Sequence, residues 1–478
     1  MILKKSALSY LIACLLMTSG FSQSINKNYT QLLRPQDLEL YHMNVALCED
    51  YPEGSTTHAK IDKDMDVLKK SGSKILRIAF QWGAIEYEKG KFDYLFWDYF
   101  VETAHQNDIT LIPYICYTPR WNATGDSTNF WTSVPIDYTE FGNTVTALVN
   151  HYKKYIHSWE LWNEPDIKEF FAGTAEDLAK LTKIGSEAVR KADPSAIVVL
   201  AGLAHHTDFT LRLFRDYNIS KYVDVVNCHD YSETWSGEPI ESITGYINTL
   251  SDIIKKYGNG QSLWTAEIGY SNFRKDAYVS NSYKAYYNYE HTPEYQAVEL
   301  FKTLSLINAT GKVANAAWYR IADLVPATIV IGDVNNKFLG IVTTEHKPKP
   351  AMSAISFFNK LFFQKNKSID NKIKIDKKEN SDSQVHCFQN TDGSIIVVAW
   401  LQTDVKGERS SDVSGNVKDT RVEKVSIRIP LKLNGKAISY SEIGNANKLG
   451  GKVIRGNSTE LNDLNLYGGK IAIIKINK

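Results

Sequence analysis

IHSWELWNEP, residues 156–165, is a short apolar run that ends abruptly in Asn163, Glu164 and Pro165. Its length suits a buried strand, and the proline prevents the chain from continuing in the same ladder. The same texture recurs on both sides. Strand-like runs stand at 41–48, 74–80, 109–116, 196–203, 222–229, 262–268 and 313–319. Segments with helical spacing of apolar residues lie between them: Ile61–Lys70, Phe96–Gln106, Tyr138–Lys153, Thr174–Lys191, Ile240–Tyr257, Pro293–Asn308 and Lys349–Phe362. Strand–helix units repeated in series predict an α/β fold, a parallel (β/α)8 barrel over residues 41–363. The rival topology, a doubly wound open sheet, calls for a glycine-rich phosphate turn after its first strand, and the sequence has none there.

The texture changes after Phe363. Residues 364–384 are polar and Lys-rich and read as a linker carrying an edge strand. Alternating runs such as HCFQNTDGSIIVVAWL, EKVSIRIPLKL and KIAIIKI follow, separated by turn residues, so residues 364–478 are expected to form an antiparallel β-sandwich. Residues 23–40 form an extension with the option of joining it.

The chain has 478 residues, with 55 Lys+Arg against 54 Asp+Glu. This balance carries no basic footprint for nucleic acid, and no nucleic-acid partner is expected. Lys4 and Lys5 precede a short apolar stretch, and Gly20 and Ser22 have the spacing of a signal-peptidase site, so residues 1–22 read as a secretory signal peptide and the protein as exported, periplasmic or extracellular. Leu11-Ile12-Ala13-Cys14 also has the form of a bacterial lipobox, but the apolar run before Cys14 is very short, and simple export is preferred to a lipid anchor. No later segment reads as membrane-spanning. The remaining cysteines, Cys48, Cys116, Cys228 and Cys387, show neither metal-site nor CxxC spacing and read as buried thiols.

Barrel enzymes draw their catalytic groups from the C-terminal ends of the strands. Glu164 ends the fourth. Glu267 ends the seventh, where strict alternation puts Leu263, Thr265 and Glu267 toward the axis and Trp264 outward against the helices. Arg77 has the opposite phase to Leu76, Ile78 and Phe80, so it points inward, where it needs a carboxylate. Glu267 is its favoured partner and Glu160 the structural competitor. His229 and Tyr231 share a phase at the end of the sixth strand. Trp318 follows two alanines on the eighth and is placed as a sugar platform. Two carboxyl groups facing each other across a narrow barrel are what glycoside hydrolysis with retention requires, one to protonate the leaving oxygen and one to attack. The long loops supply Trp121, Trp131 and Trp235 as further sugar contacts, and residues 271–294 add Tyr278, Tyr283, Tyr286, Tyr287 and Tyr289.

These motifs together resemble clan A glycoside hydrolases. The resemblance rests on Trp162-Asn163-Glu164-Pro165, on Arg77, on Trp82-Gly83-Ala84-Ile85-Glu86 continuing into YEKGKFDY, on His229-Asp230-Tyr231, on Leu263–Glu267 and on Trp318. Glu160 is similar to a family 5 pattern, whereas YTPRW (117–121) and the C-terminal sandwich look more like family 39. The resemblance implies a retaining β-glycosidase without cofactor or metal. Glu164 would be acid/base, Glu267 nucleophile, Asn163 the holder of the 2-hydroxyl and Trp318 the floor of the cleavage subsite. Glu86 would shape its loop. The substrate class implied is β-linked glycans or oligosaccharides of xylan, glucan or mannan type. The rival reading is a non-catalytic secreted carbohydrate-binding protein on the same barrel. An ester hydrolase ranks last, because no G-x-S-x-G elbow occurs.

Overall fold

The computed structural model describes residues 32–33, 39–124, 128–204, 206–232, 238–272, 292–325, 328, 334–402, 419–441, 443, 445–448 and 451–478. The proposed signal peptide, Cys14, Trp235 and the tyrosines between 278 and 289 lie outside these residues. Among the described residues no helix is long and apolar enough to cross a membrane.

Eight parallel strands close a barrel: β1 (Asn44–Glu49), β2 (Ile75–Gln81), β3 (Thr110–Cys116), β4 (Ser158–Asn163), β5 (Ile197–Ala204), β6 (Val225–Asp230), β7 (Ser262–Ile268) and β8 (Val313–Tyr319). Closure excludes the open-sheet topology. The helices are α1 (His58–Ser71), α2 (Leu95–Gln106), α3 (Tyr138–Tyr152), α4 (Ala175–Ala192), α5 (Thr207–Arg215), α6 (Ile243–Tyr257), α7 (Pro293–Thr310) and α8 (Pro350–Leu361). Local chemistry sets their ends. Thr57 caps α1, Thr174 and Asp177 form a capping box on α4, and Gly311 closes α7 at φ 65°.

The strands are apolar on both faces because one face meets the helices and the other fills the barrel. The lower interior is packed by Leu32, Ile75, Ile112, Ile197, Val225 and Trp264, and the Trp264 indole N–H donates to the Leu32 carbonyl at 2.8 Å. Trp264 therefore faces the interior, contrary to the outward placement expected from alternation. β7 contains an irregularity: Cys228 pairs with Thr265, but His229 pairs with Glu267. The extra residue resets the alternation, so Trp264 and Glu267 both face inward although an odd number of positions separates them. The displaced Ala266 N–H is taken up by the Asn227 side-chain oxygen at 3.0 Å.

The C-terminal part contains two antiparallel sheets. The larger holds β9 (Asn366–Ser368), β11 (Ser383–Asn390), β12 (Ile395–Leu401), β18 (Ile471–Ile476), β14 (Ala437–Ser441) and β15 (Asn445–Lys448); the smaller holds β10 (Lys374–Lys377), β13 (Val422–Ile429), β17 (Ser458–Tyr467) and β16 (Lys452–Arg455). β12 is an unbroken apolar run because Ile395, Val397, Ala399 and Leu401 pack between the sheets while Ile396, Val398 and Trp400 join the barrel core. The Trp400 indole donates to Glu241 at 2.7 Å, and Phe362 meets Phe388 edge-on. This cover explains why nearly every side of α7 is buried. Tyr41 bridges to Asn366, joining the start of the barrel to the first sandwich strand.

Candidate active site

The site begins with Arg77. Its Nε and Nη2 donate to the two Glu160 oxygens at 2.7 Å each, Nη1 donates to Glu267 at 2.5 Å, and Nη2 also donates to Asn163 at 2.7 Å. With Cys48 Sγ 3.5 Å from Nη1, all five donors of the guanidinium have an acceptor. The two expected partners are thus not alternatives. Glu160 fixes the guanidinium bidentately, and the remaining edge is aimed at Glu267.

β4 ends in a turn with positive φ at two non-glycine residues, Trp162 at 91° and Glu164 at 43°. An aromatic residue at such a φ is strained, and surrounding contacts must hold it. Trp162 is fully buried against Phe141, Phe171 and Tyr117. The Glu164 N–H donates to the Gly202 carbonyl at 2.8 Å, and Asp166 accepts from the Ala204 N–H at 3.0 Å. The kink turns Asn163 and Glu164 into the barrel mouth.

His229 Nδ1 lies 2.7 Å from Glu164 and 3.7 Å from Glu267, and the Tyr231 hydroxyl donates to the second Glu267 oxygen at 2.7 Å. Facing oxygens of Glu164 and Glu267, with the His229 nitrogen, lie within 4.8 Å of one another. These three are the described residues that could share a cation, with Arg77 competing for Glu267. Burial raises the Glu164 pKa above the usual carboxylate value, against the opposing effect of His229. Burial acts on Glu267 in the same direction, but the charges of His229 and Arg77 and the Tyr231 hydrogen bond outweigh it and hold that carboxyl below its usual value. Burial works against charging His229; the Glu267 charge and the Glu164 hydrogen bond overcome this and raise its pKa. The surroundings thus favour the protonated form of Glu164 and the ionised form of Glu267.

Trp318 does not floor this cleft. β1 and β8 pair Leu47 with Trp318 and Cys48 with Tyr319, which places Trp318 on the outer face with Leu47. It is 1% exposed, with its indole N–H bonded to the Leu339 carbonyl at 3.0 Å. Tyr319 takes the inward position, its ring edge-on to Tyr231 at 6.4 Å. Trp131 is half-buried beside Tyr117, whose hydroxyl accepts from Asn163 at 3.4 Å, so it borders the site. Trp121 instead packs against Trp82 and donates to the Glu86 carbonyl at 3.0 Å, a loop contact. Glu86 is buried and accepts from the Trp82 indole and the Gly90 N–H, a structural placement.

The profile of glycosyl hydrolases family 39 matches residues 83–436. The chain belongs to glycosyl hydrolase family 39. It is 31% identical to a β-xylosidase of Caldicellulosiruptor saccharolyticus over 140 residues, 26% of this chain, and so spans 28% of the length of that curated relative. A family 39 glycoside hydrolase from Bacteroides cellulosilyticus WH2 superposes with TM-score 0.64 at 16% identity, covering 91% of this chain and 81% of that one. A monomeric β-xylosidase from Caulobacter crescentus CB15 gives 0.62 at 15% identity, covering 91% and 96%. At these identities the structural likeness speaks for the fold.

Gly202 was not legible as a site residue, yet this family 39 site is built around it. Its N–H donates to Glu160 at 2.9 Å and its carbonyl receives Glu164. A Cβ there would stand 2.0 Å from His229 Nε2. Gly202→Ala is therefore expected to push the imidazole off Glu164 and lower kcat roughly 100-fold, the scale of a misplacement of about 1 Å. Steady-state kinetics alongside thermal unfolding check this. Unchanged kcat in the folded variant would contradict it.

Proposed function

We propose that this protein is a retaining glycoside hydrolase acting on β-linked sugars, with Glu164 as acid/base and Glu267 as nucleophile. The observation that carries the reading is a pair of carboxyl groups with oxygens within 4.8 Å and opposite electrostatic settings. Retaining enzymes hold their carboxyl groups about 5 Å apart, while inverting ones leave room for a water. Glu267, facing Arg77 and the Tyr231 hydroxyl, attacks the anomeric carbon. Glu164 gives its proton to the departing oxygen and then, as a carboxylate, activates the water that releases the glycosyl–enzyme. The β-xylosidase relatives favour a xylose-type glycone within the wider xylan, glucan and mannan class. Export from the cell, read from residues 1–22, fits a glycan substrate. The carboxylate pair favours turnover over carbohydrate binding without catalysis.

The test is a panel of aryl glycosides and β-linked polysaccharides, with the first-formed product anomer read by proton NMR. The β-anomer first is the expected result. The α-anomer first, or no hydrolysis across the panel by folded protein, would overturn the proposal.

The pH profile of kcat/KM is expected to be bell-shaped. Activity needs Glu267 ionised, so it falls as pH drops through a pKa held below the usual carboxylate value. It also needs Glu164 protonated, so it falls as pH rises through a pKa lifted above that value. With a substrate carrying a good leaving group, Glu164→Ala should lose the basic limb and keep the acid one; a basic limb retained in that variant would argue against Glu164 as the acid.

A further inference from the structure

One carboxylate at the barrel mouth has no part in the mechanism above. Asp50 follows β1 directly, beside the nucleophile strand's partner β8. Its Oδ2 accepts from the Tyr319 hydroxyl at 2.7 Å and its Oδ1 from the Tyr114 hydroxyl at 3.0 Å. Both phenols belong to the site. Tyr319 stands edge-on to Tyr231, the donor to Glu267, and the Tyr114 ring lies 4.0 Å beneath the Arg77 guanidinium carbon. Asp50 is close enough to Glu267 for the two charges to act on each other.

The position is fixed from behind. Arg320 Nη1 donates to the Tyr319 hydroxyl at 3.2 Å, and the same guanidinium is anchored by the buried Glu49, which also accepts from the Ile321 and Ala322 N–H groups. The phenol donors and the guanidinium behind them hold Asp50 without neutralising it by a direct ion pair. A carboxylate offers about four acceptor positions, and the described residues fill one on each oxygen. Asp50 is half-buried rather than sealed. Its two phenol partners are neighbours of Arg77 and Tyr231, the residues that bind Glu267, so the part of Asp50 left exposed lies beside the nucleophile. A preorganised acceptor left open toward a sugar site has an obvious complement in sugar hydroxyls, which are donors.

We propose that Asp50 reads the glycone, its carboxylate accepting hydrogen bonds from one or two hydroxyls of the sugar seated against Glu267. The proposal rests on the glycosidase reading and adds the residue that selects the sugar. It also limits the substrate class to neutral glycones. A uronic acid would bring a carboxylate toward Asp50 and Glu267, while every donor of Arg77 is already engaged and Arg320 is committed to Glu49 and Tyr319. A buried acceptor also rejects an analogue lacking the matching hydroxyl, because the acceptor is then left unpaired.

The experiment pairs Asp50→Asn with monodeoxy glycones. Wild-type and variant enzymes are assayed on the best aryl glycoside and on its 2-, 3- and 4-deoxy analogues. A hydrogen bond to a charged acceptor corresponds to a loss of about 10–100-fold in kcat/KM when either partner is removed. At the hydroxyl read by Asp50, removing both partners should lose little more than removing one. A merely structural role would reduce all substrates alike, and losses that multiply at every position would overturn the proposal while leaving the glycosidase reading intact. Dissociation constants of the free sugars and their deoxy forms make the same comparison without turnover, so a failure of the glycosidase reading shows separately in the wild-type assays. Asp50→Ser provides a second variant, and thermal unfolding of both confirms that folded protein is compared. Wild-type hydrolysis of an aryl β-uronide as fast as of the neutral parent would also overturn it.

Discussion

Glu267→Gly is expected to abolish hydrolysis of aryl β-glycosides, with a loss on the order of 10^5-fold, the scale on which covalent nucleophiles matter to their enzymes. The physical reason is specific to this carboxylate. Arg77 and the Tyr231 hydroxyl each bind one of its oxygens, so it is ionised and oriented before substrate arrives. Glycine leaves a gap of carboxylate size at the position from which the anomeric carbon is attacked. Added azide should occupy it and restore turnover, with Glu164 still protonating the leaving group. Attack from that side inverts the centre, so a β-glycoside should give the α-glycosyl azide. The complementary Glu164→Ala variant should give the β-azide, because there azide intercepts a glycosyl–enzyme already formed. Exchange of the two products would exchange the roles of the two residues. Full activity in Glu267→Gln would remove Glu267 from the reaction altogether.

The barrel was legible because its strands carry apolar residues on both faces and end in recognisable polar groups. One helix escaped: α5 has only nine residues, and although its buried Thr210, Leu213 and Phe214 stand at helical spacing, Phe209, Leu211 and Leu213 also alternate as in a strand. The inward face of Arg77 followed from period-two alternation, which holds wherever the ladder is regular. It failed where the ladder is not. The irregularity in β7 turned Trp264 inward, and the true phase of β8 placed Tyr319, not Trp318, in the mouth. Bulges of this kind depend on which neighbour accepts the displaced N–H, here Asn227, and a single strand's sequence does not carry that information. Gly202 and Asp50 were missed for a related reason. The glycine acts by what it leaves empty and the aspartate through two phenols distant in sequence, so neither forms a local motif.

Arg77→Met should be the most destabilising single change in the site. The side chain is fully buried and its loss leaves Glu160, also fully buried, without a counter-ion. Removing one partner of a buried pair typically costs about 3–5 kcal/mol. For a chain of this size that is a fall in Tm of roughly 3–5 °C. The pH dependence should weaken as well. In the wild type the depressed Glu267 pKa contributes stability above the unfolded-state value, lost as pH falls through the folded-state value. Without the guanidinium one of the charges that depress the Glu267 pKa is gone, so the variant should lose less stability than wild type on acidification. Thermal melts from about pH 3 to about pH 7, spanning the carboxylate range, measure both slopes. The double variant Arg77→Met, Glu160→Met separates structure from chemistry. Replacing both buried charges by apolar groups should restore most of the Tm, since such exchanges are often neutral. It should not restore kcat, because the edge of the guanidinium that holds Glu267 ionised is still missing. Recovery of activity together with stability would reduce Arg77 to a structural residue; recovery of stability alone would show that one guanidinium braces the barrel through Glu160 and poises the nucleophile through Glu267.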